Sequence, residues 1–425
     1  MNLLNTRLYE WIKSSSISIS IWAGTAAFLT YFSMYMYRKP FSANTYEGLD
    51  FFGIDYKIIL VISQVIGYAI SKFYGIKFIA ELKNTNKERS LLLLIGASFL
   101  SLVLFAITPH PFGFIWLFFN GLPLGLIWGI VFSYLEGRKI TEVLTVIISA
   151  NFIFSSGVAK SIGVEILKHG YSWQSMPAIA GIITLPVLLF SIWMLTHIPP
   201  PSSEDIALRI ERKPMDKQSR KLFLKQHGYI MALIVLVYIV FTIIRDVRDN
   251  FAVELWNELG LKNQSSIYVL AEIPIAVIVF ITLGLLFLIK SNSKALFLNL
   301  FISITALAII VLSTLIFSIT KSNPILWMTI SGLCLFLPYI IFNGIIFDRF
   351  IGAFKVNGNV GFIIYMCDAF GYLASVLILL AKNFSNQQIS WLNFYFSICI
   401  IGGSIGVGLL ILCTFNIHKK LKTIQ

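Results

Sequence analysis

Charge is what this sequence has least of. Of 425 residues only 12% are Asp, Glu, Lys or Arg, while 57% are hydrophobic. Soluble globular chains carry about 25% charge. So little charge excludes an ordinary water-exposed fold and points to a polytopic membrane protein with the lipid bilayer as its solvent. Cysteine is scarce as well. Cys334, Cys367, Cys399 and Cys413 all fall inside apolar stretches with no metal-ligand spacing, which argues against a zinc module or a disulfide framework. The five histidines, His110, His169, His197, His227 and His418, stand in loops or at the ends of apolar runs, and no H-E-x-x-H, G-x-S-x-G or P-loop occurs. Zinc hydrolysis, acyl transfer and ATP hydrolysis therefore lack a site. No enzyme, cofactor or metal centre is expected.

Apolar length is abundant. A spanning helix needs about 20 mostly apolar residues, and twelve candidates emerge, near 17–41, 56–79, 90–109, 112–135, 141–167, 173–196, 228–253, 266–289, 295–319, 323–347, 357–381 and 389–416. The longest connection begins Pro199-Pro200-Pro201 and continues as a basic amphipathic stretch from Glu204 to Lys225. It divides the spans six and six. The expected fold is an all-α membrane protein, twelve transmembrane helices in two pseudo-symmetric six-helix bundles. These cover 1–197 and 228–425, joined by a cytoplasmic linker over 198–227.

The net charge of +13 does not require nucleic acid, because the cations flank spans in short loops. Counted by side, 22 lysines and arginines share the side of both termini. Five lie opposite, Lys57, Lys168, Lys262, Lys321 and Lys382. The positive-inside rule then puts both termini in the cytoplasm. The expected location is a bacterial inner membrane, and the chain is expected to be a monomer.

Four cations break that bias. Arg38-Lys39 close the first span and Arg245 with Arg248 close the seventh, all on the side kept nearly free of positive charge. The competing reading is an interfacial anchor whose stem snorkels to the headgroups. About 17 residues separate His227 from Arg245, a rise of about 26 Å, short of the roughly 30 Å hydrocarbon core. Asp246 and Asp249 lie beside these arginines. Arg248 is expected to pair with one of them, leaving Arg245 for a ligand. A guanidinium suits phosphate because its planar fork donates two parallel hydrogen bonds and never loses its proton. Two such forks, one per half, would balance a dianionic phosphate. An empty site would hold excess positive charge, which favours exchange of one anion for another.

The six-plus-six pattern resembles the major facilitator superfamily, whose halves are parallel repeats. Local sequence narrows the resemblance. Tyr37-Arg38-Lys39-Pro40-Phe41-Ser42, Gly67-Tyr68-Ala69-Ile70-Ser71-Lys72-Phe73, Leu117-Phe118-Phe119-Asn120-Gly121-Leu122, Arg245 followed by Asp249-Asn250-Phe251, and Phe370-Gly371-Tyr372-Leu373 are together similar to the organophosphate:phosphate antiporters. These carry glycerol-3-phosphate or hexose-6-phosphate. The resemblance implies that Arg38 and Arg245 bind the substrate phosphate, with Lys39 and Lys72 as supporting cations. Two departures mark a divergent member. Ala150-Asn151 stand where the family has a histidine before an asparagine, and the usual Asp-Arg between spans two and three is absent.

Ionisable residues inside spans are functional candidates. Lys160, Asp368 and Glu272 are expected to couple or gate transport, alongside Arg248 and Asp249. Tyr37, beside Arg38, is expected to touch the solute. The leading expectation is a secondary transporter of a small organic anion, a phosphorylated solute exchanged for inorganic phosphate. Proton-coupled uptake through Asp368 or Glu272 is the mechanistic alternative. A transporter-like sensor is the alternative of another class.

Overall fold

The computed structural model describes residues 3–81, 87–135, 138, 140–202, 205, 217–262, 264–356, 360–384 and 389–423. By its contacts the chain divides into two compact units. One is Met1–Ile210 with Asn263–Val269, the other Glu211–Lys262 with Leu270–Gln425.

The first unit is built from α1 (Leu3–Lys13), α2 (Ser16–Arg38), α3 (Tyr56–Glu81), α4 (Lys87–Ile107), α5 (Phe114–Leu135), α6 (Thr141–Ser149), α7 (Asn151–Lys168) and α8 (Met176–Thr196). A small hairpin pairs Asp50–Phe51 with Ile54–Asp55 ahead of α3. Ser15 caps α2 by accepting the Ser18 amide at 3.0 Å, as N-cap serines do. The helix ends at Arg38: the Lys39 amide still donates to the Tyr35 carbonyl, but Pro40 has no N–H with which to continue the ladder. A 3-10 turn, Pro40–Ala43, follows.

The second unit contains α9 (Lys217–Asn250), α10 (Ala252–Glu258), α12 (Glu272–Phe287), α13 (Asn292–Thr320), α14 (Pro324–Ile340), α15 (Ile346–Phe354), α16 (Val360–Phe384), α17 (Trp391–Ser397) and α18 (Gly403–Lys422). The short α11 (Ile267–Leu270) spans the boundary between the two units. Single π-helical turns, Ile341–Ile345 and Ile398–Gly402, join α14 to α15 and α17 to α18. Asn323 caps α14 by accepting the Ile325 and Leu326 amides, with Pro324 at the first helical position.

Among the described residues eleven helical stretches are long and apolar enough to cross a membrane. The 26-residue α3 stands in the place of the expected second span. The chain is thus an all-α membrane protein with six spans on either side of the linker. Burial follows the same logic. Leu93, Leu100, Ile182, Phe190, Ile281, Leu285, Phe301 and Leu312 are exposed, while Asn120, Asn151, Ser98 and Ser303 are fully or nearly fully buried. Apolar exposure on this scale fits a lipid-facing surface.

One expectation needs correction. The seventh helix runs back to Lys217, so the rise from His227 to Arg245 does not measure depth from a helix start. The fifth expected span, 141–167, is met by Val143–Lys168, with a one-residue break where α6 and α7 meet at Ala150. The basic stretch expected from Glu204 to Lys225 lies largely outside the described residues.

Close helix contact positions the residues that follow. A Cβ at Gly67 would strike the Phe118 carbonyl, one at Gly121 the Gln64 carbonyl, and one at Gly125 the Ser71 hydroxyl. Only glycine at these three points lets α3 and α5 approach backbone to backbone. That approach sets Gln64 beside Asn120.

Candidate functional site

In the first unit, Arg38 is only 9% exposed and Lys39 only 5%. This excludes the snorkelling anchor, whose head would sit in water. The Arg38 guanidinium lies over the Tyr68 ring at 4.0 Å from its centroid, and the Lys72 ammonium lies 5.3 Å from the same centroid. Two cations therefore share one aromatic ring, which attracts each by its quadrupole.

The backbone at Arg38 is fixed from behind. Gln64 Nε2 donates to the Arg38 carbonyl at 2.9 Å and to Asn120 Oδ1 at 2.8 Å. Asn120 Nδ2 donates to the Tyr37 carbonyl and to Ser98 Oγ, at 3.1 and 2.7 Å. Tyr37, expected to touch the solute, has its hydroxyl and ring engaged within the first unit. Its hydroxyl donates to the Gly181 carbonyl at 2.9 Å and its ring meets Phe99 edge-on, so it packs α2 against α4 and α8. Lys160, 3% exposed, donates to Ser156 Oγ at 2.9 Å. One turn earlier Ser155 bonds Asn151 at 2.5 Å, just after the break between α6 and α7.

The second unit reverses the expected pairing. Asp246 is bonded to Arg245, at 3.0 Å from Nε and 2.5 Å from Nη2. Arg245 Nη1 donates to the Tyr339 hydroxyl, and the guanidinium lies 4.4 Å from the Tyr339 ring centroid. Arg248 instead bonds Glu272 at 2.6 Å. Its Nη2 occupies the space a Cβ on Gly332 would need, so that glycine admits the ion pair. Asp249 contributes its charge at Arg248. Among the described residues, three of the five guanidinium N–H groups of Arg245 are engaged, and one is left on each terminal nitrogen.

Near Arg245 stand Tyr238, Tyr339 and Asn343, which sequence reasoning missed, together with Asp368, which it named. The Tyr238 hydroxyl donates to Asp368 Oδ1 at 2.5 Å and lies 3.4 Å from the Tyr339 hydroxyl. Asn343 Nδ2 donates to Tyr339 at 3.3 Å from within the π turn Ile341–Ile345. Such turns are frequent at functional sites. Asp368, Tyr238 and Tyr339 are 3%, 1% and 2% exposed. The signal available was tyrosine within a span, which packing explains equally well.

Residues 40–420 match one protein-family profile, described as a family of unknown function, DUF5690. The chain belongs to this family. No curated protein matches it. Solved structures match its fold along nearly its whole length. The nucleoside transporter NupG has 13% identity and a TM-score of 0.63, covering 94% of this chain and 99% of that one. The D-xylose-proton symporter has 15% identity and a TM-score of 0.59, covering 92% and 97%. A bacterial homologue of the human drug peptide transporters PepT1 and PepT2 has 13% identity and a TM-score of 0.59, covering 95% and 99%. A further match is described as a major facilitator superfamily protein, the proton:xylose symporter XylE. The fold of this DUF5690 chain is the major facilitator fold.

Proposed function

We propose that the protein is a secondary transporter of a small organic anion, a phosphorylated solute exchanged for inorganic phosphate by alternating access. The observation that carries this reading is the Arg38–Tyr68–Lys72 group, two cations gathered on one ring within a membrane bundle. Buried cations are costly, and a dianion bound there would offset that cost. Lys39, buried like Arg38, adds to the field, and Lys72 is half-buried. Arg245 is the second anchor, through its two remaining N–H groups. Its aspartate partner neutralises it in the absence of an anion.

A thermal-shift screen of the purified protein against phosphate, sugar phosphates and non-phosphorylated acids tests this. Phosphate or a phosphate ester should stabilise the protein, and Arg38→Ala and Arg245→Ala should each remove the shift. No stabilisation by any phosphate compound, or a shift indifferent to both substitutions, would defeat it.

Proton-coupled uptake of an anionic solute is a second reading, supported by the burial of Asp368. Glu272 is a weaker proton carrier, because it is bound to Arg248. Uptake driven by a pH gradient into anion-free vesicles would favour this reading over exchange. The chain is further proposed to lie in a bacterial inner membrane, as a monomer with both termini cytoplasmic.

A further inference from the structure

Lys160 stands on α7, a helix that the Arg38–Tyr68–Lys72 group does not use. Within the first unit α7 packs along α2. The Tyr31 and Phe152 rings meet edge-on at 6.1 Å between centroids, and the Phe32 and Phe154 rings stack at 6.3 Å. Further along, a Cβ on Gly163 would lie 2.7 Å from Ala43 Cβ and 3.1 Å from the Pro40 carbonyl oxygen. Facing residues advance together on the two helices, so these run in the same direction. Tyr31 also stands close enough to Tyr68 and Arg38 to interact with both.

These contacts fix a height. Arg38 lies six residues beyond Phe32, and Lys160 lies six beyond Phe154, a rise of about 9 Å on either helix. They also fix a face. Phe152, Ser156, Lys160 and Gly163 recur at i, i+4, i+8 and i+11, one stripe of α7, and its first and last members meet α2. On α2 the answering stripe is Tyr31, Tyr35, Arg38 and Lys39, at i, i+4, i+7 and i+8. Helical side chains lean toward the N-terminus of their own helix. Lys160 does so, donating to Ser156 Oγ one turn back at 2.9 Å. Because the helices run the same way, the cationic heads stay level. Arg38, Lys39 and Lys160 are all buried.

We propose that Lys160 is an anion-binding residue of the Arg38 site. Its ammonium meets the solute phosphate from α7, while Arg38 and Lys39 meet it from α2. An ammonium is a compact point charge with three rotatable donors, suited to a phosphate oxygen that the planar Arg38 fork does not reach. This gives Lys160 a binding role in place of the coupling or gating role expected from its place in a span. It deepens the transporter reading and rests on it for the nature of the ligand.

Isothermal titration of the purified full chain with inorganic phosphate tests the assignment. Lys160→Met keeps the length of the side chain and Lys160→Gln keeps a donor for Ser156, but only Lys160→Arg keeps the charge. Both neutral variants should bind phosphate about tenfold or more weakly than the wild type, the size of one charge-assisted contact. Lys160→Arg should recover most of that loss. A residue that only packs α7 would be replaced by Met or Gln, and one that only gates would leave the equilibrium affinity unchanged. Melting curves without phosphate identify a variant that fails to fold, and the other neutral variant then decides. Wild-type affinity in a folded neutral variant, or equal weakening in Lys160→Arg, would overturn the proposal. If the wild type binds no phosphate, the phosphate reading falls and the Lys160 assignment with it. If Arg38→Ala abolishes binding while Lys160→Met and Lys160→Gln retain it, the Lys160 assignment falls alone.

Discussion

Arg248 and Glu272 show how one residue's partner decides what its loss costs. Their contact is 2.6 Å, with side chains 4% and 13% exposed. Arg248→Ala leaves a carboxylate in a dry site, and breaking such a pair typically costs about 3–5 kcal/mol. Removing both partners restores much of the loss, because no uncompensated charge remains. Thermal unfolding of the two single variants and the double variant should therefore be strongly non-additive, and additive losses would count against a coupled pair. Asn120 is the corresponding residue in the first unit. Asn120→Ala strands the Tyr37 carbonyl and one Gln64 donor bond, a loss of about 1–3 kcal/mol for a buried unsatisfied group. Because those bonds fix the backbone at Arg38, the same variant should also weaken the phosphate-induced thermal shift. A destabilised protein with an undiminished shift would separate Asn120 from the site. Much at this scale was legible. The misplaced cations and the intramembrane carboxylates stand out by charge in an apolar text. What did not stand out was pairing. Arg245, Asp246, Arg248 and Asp249 lie within five residues, and sequence distance suggested local partners for Arg248. The partner chosen is Glu272, on a different helix, which only packing and the space at Gly332 decide. Lys57, Lys87 and Arg138, counted by side as ordinary flanking cations, are buried and donate to the carbonyls of Ser42, Ser133 and Pro199.

Helices carry the site by how closely they meet. The contact between α3 and α5 depends on Gly67, Gly121 and Gly125, and the residues it delivers, Gln64 and Tyr68, are the ones that hold Arg38. Gly121→Ala places a methyl against the Gln64 carbonyl. Overpacking of this kind costs about 1–3 kcal/mol. The expected outcome is a lower melting temperature together with a lost response to phosphate, since α3 also carries Tyr68 and Lys72. A melting temperature equal to the wild type would show that the helices accommodate the methyl. Sequence reading placed all twelve spans, because an apolar run near 20 residues is a strong signal. It missed the break at Ala150 and both π turns. Those depend on where individual hydrogen bonds shift along the helix, and hydrophobicity does not record that.

At the scale of the whole molecule, the charge bias predicts a topology. Reporter fusions after Gln425 should behave as cytoplasmic, and fusions within the connection after Lys262 as external. The opposite pattern would reverse the assignment drawn from 22 cations against five. The major facilitator fold was legible from span count and the central linker. The solute was not, because relatives at 13–15% identity with this fold share a scaffold, and a scaffold does not fix a substrate. The central claim is that this scaffold moves a phosphate-type anion using Arg38 and Arg245. Uptake of labelled phosphate into phosphate-loaded liposomes containing the purified protein tests it most directly. Wild-type protein should accumulate label above protein-free liposomes, and Arg38→Ala and Arg245→Ala should not. No uptake above the protein-free level, or uptake unaffected by both substitutions, would contradict the account.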